Sequence, residues 1–288
     1  PGQSSISLNE KGLNGCDDTN YFVNCFYNLF MVENMMRGYQ HGFSSLHGDS
    51  MYDETARIRK ARTMQKVLLD NLGEENAARM SLLDVGASTG IIDEFLSRSF
   101  AQVTGIDIDS KAIAHAQNTR ISEKLNFQTG DAMSLDFPDN SFDVVVCSQV
   151  YEHVPDARIM MDEIFRVLKP EGVCYFAAGN RLAIVEHHHH LPFLSAIPRP
   201  LGHLYLRFAG KGTYYYEKHL SYWGLKRLVS RFEVEDYTGT MINDPDKFDA
   251  AYMLEPGSTK QRLAQTVVNR LYWLCPGYIW LLRKPPSG

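Results

Sequence analysis

Ser81-Leu82-Leu83-Asp84-Val85-Gly86-Ala87-Ser88-Thr89-Gly90 decides how the rest of the chain is read. Leu82 to Val85 is a short apolar run of the kind that forms a buried strand. Gly86 ends it, Gly90 follows four residues later, and Ile91-Ile92-Asp93-Glu94-Phe95-Leu96 has helical spacing. Strand, glycine-rich turn and helix together bring a ligand against bare backbone at a helix N-terminus. The turn does not contain the G-x-G-x-x-G triplet of dinucleotide-binding domains. It does spell G-x-S-x-G, the pattern of a hydrolase nucleophile elbow.

The residues that follow choose between these readings. Val103-Thr104-Gly105-Ile106-Asp107 is a second apolar run ending in an acid. Such an acid, at the end of the second strand of a βαβ unit, accepts hydrogen bonds from both hydroxyls of a ribose. Ser110 is placed to cap a helix carrying Ile113, Ala114 and Ala116. Phe127 to Met133 gives a third strand with Gly130-Asp131, and Phe142 to Cys147 a fourth, apolar one. Ile164 to Leu168 reads as a helix stopped by Pro170-Glu171-Gly172 before a fifth strand. A nucleophile elbow requires a later acid and histidine at strand ends, and gives no reason for acids at 107 and 131.

These five blocks, over roughly residues 65 to 180, resemble the type-11 class I S-adenosyl-L-methionine (SAM) methyltransferases, which include quinone-pathway and small-molecule O-methyltransferases. The resemblance implies an α/β, Rossmann-like sheet of seven strands in the order 3-2-1-4-5-7-6, with the last strand antiparallel. It implies SAM as cofactor and S-adenosylhomocysteine as product. Gly86, Ala87, Ser88 and Gly90 would lie against the methionine moiety, with Asp84 supporting its amino group. Asp107 and Ile108 would take the ribose. Asp131 would accept from the adenine amino group, with Ala132 and Met133 flanking the ring. Ser148, at the end of strand four, completes the set. Arg37 and Tyr39, ahead of the first strand, are candidates for the SAM carboxylate.

The acceptor side is read from Ser148-Gln149-Val150-Tyr151-Glu152-His153-Val154-Pro155. Its E-H-V-P portion is similar to the motif after strand four in quinone-pathway O-methyltransferases. Some of those carry E-x-x-E-H, in which two Glu and a His hold a divalent metal. Gln149 stands where the first Glu would be, so no metal is expected. His153 has the chemistry of a general base toward a hydroxyl. Its alternative role is to cap or orient the loop.

Arg181 to Lys218 exceeds what the family pattern accommodates and reads as an insertion after strand five that forms a lid or acceptor pocket. It contains His187-His188-His189-His190, three prolines, Leu204 to Phe208 and Tyr214-Tyr215-Tyr216-Glu217. Neighbouring residues of an extended segment point to opposite sides, so at most alternate histidines converge. No nearby Cys completes a zinc pattern. The run therefore reads as a polar loop, with one of these histidines, His187 as the catalytic candidate among them, or Glu186 as the alternative to face the acceptor, and His219 as a further catalytic candidate.

The remaining chain is assigned around this core. Residues 1 to 18 read as a flexible tail and 19 to 73 as an N-terminal helical extension or lid, leaving 74 to 288 for the methyltransferase domain. Tyr21, Phe22, Cys25, Phe26, Leu29 and Phe30 mark an aromatic helix from Thr19 to Met36, packed on the core or closing over an apolar acceptor. Asp53 to Leu72 is a long helix, on which Arg57, Arg59, Lys60, Arg62 and Lys66 are expected to form a solvated face. Thr259 to Trp273 is a late helix; Phe232 to Tyr237 and Tyr278 to Lys284 are the last two strands.

The 288 residues carry a formal net charge of −5, which does not suggest a nucleic-acid binder. Five cysteines without C-x-x-C spacing fit a reducing compartment, and neither a signal peptide nor a membrane-spanning run is read, so a cytoplasmic location is expected. Peripheral membrane contact and the oligomeric state are left open. The expected activity is O-methylation of a small or medium, apolar or amphipathic acceptor: phenolic, polyketide-like or a lipid-linked sugar. N- or C-methylation, a non-catalytic scaffold and an NAD-dependent oxidoreductase are the alternatives.

Overall fold

The computed structural model describes residues 38, 43–46, 48–186 and 188–286. The tail 1–18, the aromatic helix Thr19–Met36, Arg37, Tyr39 and His187 lie outside the described residues. Two short helices, α1 (Phe43–Leu46) and α2 (Gly48–Met51), precede the long α3 (Glu54–Leu72) and α4 (Glu74–Ala77). Then follow β1 (Ser81–Val85), α5 (Ile91–Leu96), β2 (Gln102–Asp107), α6 (Ser110–Thr119), β3 (Leu125–Thr129), β4 (Phe142–Ser148), α7 (Ala157–Val167) and β5 (Leu168–Gly179). After α8 (Arg199–Phe208) come α9 (Tyr222–Leu228), β6 (Glu233–Asp236), α10 (Thr238–Asn243), α11 (Thr259–Arg270), a 3-10 turn at Tyr272–Leu274 and β7 (Gly277–Arg283).

The seven strands form one sheet in the order β3-β2-β1-β4-β5-β7-β6. β7 runs antiparallel to both β5 and β6, and the other pairings are parallel. The inner strands read as unbroken apolar runs because both faces are covered. Alternate residues serve opposite faces. Leu83, Val85, Val145, Cys147, Cys174 and Phe176 pack with Met160 and Ile164 of α7 and Leu225 of α9. Leu82, Val144, Val146, Val173 and Tyr175 pack with Met64, Val67 and Leu68 of α3 and Leu96 of α5.

Three local expectations change. The helix after β2 is capped by Asp109, whose carboxylate accepts the N–H groups of Lys111 and Ala112; Ser110 is its first residue. The Pro170-Glu171-Gly172 stretch lies inside β5, opposite a register shift at Phe142/Val144. Glu171 has φ +63° there, and a Cβ on Gly172 would stand 2.8 Å from the Lys169 carbonyl. The helix α10 has no periodic apolar signal, and the expected late helix ends at Arg270.

The chain leaves the sheet at Asn180 and returns at Leu220, which pair as a parallel bridge, with the Arg181 N–H on the Leu220 carbonyl. Between them Leu194, Leu206 and Tyr215 make a small core of their own around α8. Among the described residues no helix is long and apolar enough to cross a membrane.

Candidate active site

β1 lies between β2 and β4, and the winding of the sheet reverses there, opening a crevice beyond the C-terminal ends of β1 and β4. The Gly86–Gly90 turn forms one wall. Gly86 has φ +95°, and a Cβ on it would fall 2.6 Å from Cγ2 of Val150 in the loop after β4. Gly90 has φ +72°, and its Cβ would meet Phe127 at 2.7 Å. Both positions therefore require glycine for backbone and for space.

The acids sit at neighbouring strand ends. The Asp107 carboxylate accepts the backbone N–H groups of Ser88 and Asp109, both at 2.9 Å. Each of its oxygens keeps a lone pair for a further donor. Asp131 lies two residues past β3, and its Oδ1 accepts the N–H of Met133 at 2.7 Å, which folds Ala132 and Met133 back toward the crevice end of the sheet. Ile108 follows Asp107 directly, and Ser148 ends β4 one residue past the Val85–Cys147 pair. The turn and the acids thus stand together at the C-terminal ends of β1, β2 and β3.

Arg57 is a correction. It is only 8% exposed and not on the solvated face of α3. Burial lowers its pKa, and the nearby charges of Asp84, Asp93 and Asp107 oppose that shift. Asp84 is fully enclosed; burial pushes it up to about 7 against the attraction of Arg57. Asp93, on α5, is raised well above the carboxylate range by burial and by Asp84. A lone arginine at helical spacing carries no sequence signal that distinguishes a buried counter-ion from a surface charge.

The facing wall is the loop after β4. The Tyr151 hydroxyl donates to the Gly179 carbonyl at 2.6 Å and accepts the Leu220 N–H at 3.1 Å. The Glu152 carbonyl accepts the Lys218 N–H at 2.9 Å. These bonds tie the loop to the end of β5 and to the returning end of the insertion. Glu152, Glu186 and Glu217 are buried beside four imidazoles. His153 and His188 have ring centroids 4.8 Å apart, and His188 and His219 6.3 Å apart. Nε2 of His188 is 3.8 Å from Glu152, Nε2 of His189 is 3.6 Å from Glu217, and Nε2 of His219 is 3.5 Å from Glu186.

The electrostatics follow from this enclosure. Burial pushes His153 down to about 4, with Glu152 opposing. Burial would raise Glu186 and Glu217, but the imidazoles of His219 and His189 and the backbone N–H groups hold both at about 2. For His188 the burial penalty is outweighed by Glu152, and its pKa is raised. The cluster joins the candidates His153 and His219. Glu152, His188 and Glu217 join them through long-range packing that their sequence positions do not encode.

Phe43 of α1 touches both halves: its ring lies 5.0 Å from His153 and 6.1 Å from His188. Ser44 bonds Asp109 through its N–H and hydroxyl at 2.9 and 2.6 Å, and Thr89 donates to the Met51 carbonyl at 2.9 Å. The α1–α2 segment is a strap across the glycine turn.

Comparison with known proteins bears on the family and the fold. A family model described as a methyltransferase domain matches residues 83–176. The ubiquinone biosynthesis O-methyltransferase of Pseudomonas entomophila is 30% identical over 192 residues, 62% of this chain and 78% of that protein. The Psychrobacter cryohalolentis protein of the same name is 32% identical over 178 residues, 59% of this chain; the match spans 65% of that relative's length. A SAM-dependent methyltransferase structure from Methanosarcina mazei superposes with a TM-score of 0.50 at 23% identity, covering 77% of this chain and 98% of that one, which bears on the fold. The chain belongs to the class I SAM-dependent methyltransferases.

Proposed function

We propose that the protein transfers the methyl group of SAM to a hydroxyl oxygen of a small or medium, apolar or amphipathic acceptor, of phenolic, polyketide-like or lipid-linked sugar type. The observation that carries this reading is the contact of Gly86 with Val150, which places the Glu152–His153 loop directly beside the turn that would hold the methionine moiety. The names of the two relatives, O-methyltransferases of ubiquinone biosynthesis, support oxygen as the target.

SAM supplies an already activated methyl group. Asp107 holds the ribose hydroxyls with its remaining lone pairs, Asp131 accepts from the adenine amino group, and the Gly86–Gly90 backbone borders the methionine moiety. Asp84, near the charge of Arg57, supports the turn from beneath. His153 takes the acceptor proton, and the α1–α2 strap excludes water, so positioning and desolvation supply much of the rate. Leu201, Leu204 and Phe208 are exposed along one stripe of α8, a surface suited to an apolar acceptor or a membrane face. Cys147, Cys174 and Cys275 are free, buried thiols, which supports a reducing, cytoplasmic setting.

Incubation with methyl-labelled SAM and a panel of hydroxylated acceptors tests the proposal. Label is expected on oxygen of at least one acceptor. Label on carbon or nitrogen alone, or release of label without any acceptor product, would overturn the reading as an O-methyltransferase.

A further inference from the structure

The insertion and the segment after it build a second feature that the methyl-transfer chemistry leaves unused. Glu186 is only 1% exposed. Its Oε2 accepts the backbone N–H groups of His188 and His189 at 3.0 and 2.6 Å, which turns Oε1 toward Nε2 of His219. Leu220, next to His219, is anchored on the Tyr151 hydroxyl, so both ends of the group are fixed by backbone hydrogen bonds. Gly179 leaves room for the imidazole: a Cβ there would stand 3.3 Å from Nδ1 of His219.

From this arrangement we propose that Glu186, His188 and His219 bind one divalent metal ion of the zinc class. Their ligand atoms all lie within 4.8 Å of one another. Oε1 of Glu186, Nε2 of His188 and both ring nitrogens of His219 are buried and have no hydrogen-bond partner among the described residues. Buried polar groups in native proteins are almost always satisfied, so one unmet atom from each of three side chains gathered at one place marks an occupant. The separation of 3.5 Å between Glu186 and His219 is longer than the usual N–H···O bond. It matches the edge of ~3.4 Å expected of a tetrahedron with zinc–ligand bonds of about 2.1 Å. Two imidazoles and a carboxylate suit such an ion and leave a fourth position open for water or a substrate oxygen. Three buried carboxylates, Glu152, Glu186 and Glu217, supply the negative charge that a dication offsets.

This centre is not the one expected from E-x-x-E-H spacing, which Gln149 interrupts. Glu152, His153 and His188 form a second possible group. His188 belongs to both, and the closer approach of Glu186 to His219, 3.5 Å against 3.8 Å between Glu152 and His188, selects the first. Use of the open position by an acceptor hydroxyl rests on the methyl-transfer reading; the binding of the ion does not.

The test is titration of the chelator-stripped full chain with Co2+, followed by its visible d–d absorption and displaced by Zn2+. One Co2+ per chain is expected. His188→Ala, His219→Ala and Glu186→Gln should each weaken it by about 100-fold or more, while His190→Ala, in the exposed part of the same histidine run, should not. His219→Cys should keep the ion and add a thiolate-to-cobalt charge-transfer band, which a variant that merely misfolds would not give. No saturable uptake would show that the histidines serve only as polar partners of the carboxylates, and loss in His190→Ala with retention in His219→Ala would show a surface chelator; either overturns the site. SAM titration of the stripped protein keeps failure of this site distinguishable from failure of the cofactor site.

Discussion

The backbone N–H of Ser88 donates to Oδ2 of Asp107 across 2.9 Å, so the turn after β1 and the acid at the end of β2 are held as one unit. Asp107→Ala removes the clamp on the turn and, on the proposed reading, the ribose acceptor as well. SAM binding should weaken by about 1–3 kcal/mol, the scale of losing hydrogen bonds to a charged group. Calorimetry reads this directly, and unchanged affinity would remove Asp107 from the site.

Gly86→Ala tests how closely the two walls of the crevice approach. The added methyl would enter a position 2.6 Å from Cγ2 of Val150 at a backbone φ of +95°. Overpacking of this kind costs about 1–3 kcal/mol. Thermal melting should show the loss of stability, and SAM affinity should fall with it. A variant as stable as the wild type would mean that the loop after β4 does not press on the turn.

Asp84 gives a pH dependence whose sign follows from burial. Its pKa is raised from 3.8 to about 7 in the folded protein. The folded state therefore holds a proton that the unfolded state releases, and this group's contribution to stability falls as pH rises from about 4 to about 7. Asp84→Asn is neutral throughout. Relative to the wild type, the variant without ligand should gain in melting temperature between pH 5 and pH 8. A difference that stays flat, or that favours the wild type at high pH, would show Asp84 ionised throughout against Arg57.

His153 is tested by turnover. His153→Ala should lower the rate at saturating SAM by about 10²–10⁴-fold, the range of general base catalysis, and leave SAM affinity unchanged. Burial holds the imidazole at about 4, so in the wild type it is neutral and able to accept a proton across pH 5–8. Full turnover in the variant across that range would exclude the role.

The sheet was legible because its inner parallel strands are continuous apolar runs, and the positions of the acids came with them: Asp84 inside β1, Asp107 closing β2 and Asp131 two residues past β3. The glycine positions were legible for the same reason: Gly86 and Gly90 flank a turn that only glycine satisfies. Arg57 was not, since helical spacing places it among surface cations and only the packing of α3 on α5 reveals its three acidic neighbours. The convergence of Glu152, Glu186, His188, Glu217 and His219 was also hidden. It depends on the Tyr151 and Lys218 hydrogen bonds that fold an insertion of this length back onto the loop after β4. Ser110 illustrates the smaller scale: two adjacent residues can each cap, and the chain uses Asp109.

Calorimetric titration of the full chain with SAM, S-adenosylhomocysteine and NAD, run in parallel with Asp107→Ala, is the most direct measurement of cofactor use. SAM and S-adenosylhomocysteine should each bind one to one, more weakly in the variant, and NAD should not bind. Binding of NAD in place of the adenosyl ligands, or adenosyl binding indifferent to Asp107, would contradict a SAM-dependent methyltransferase site at the end of β1 and β2.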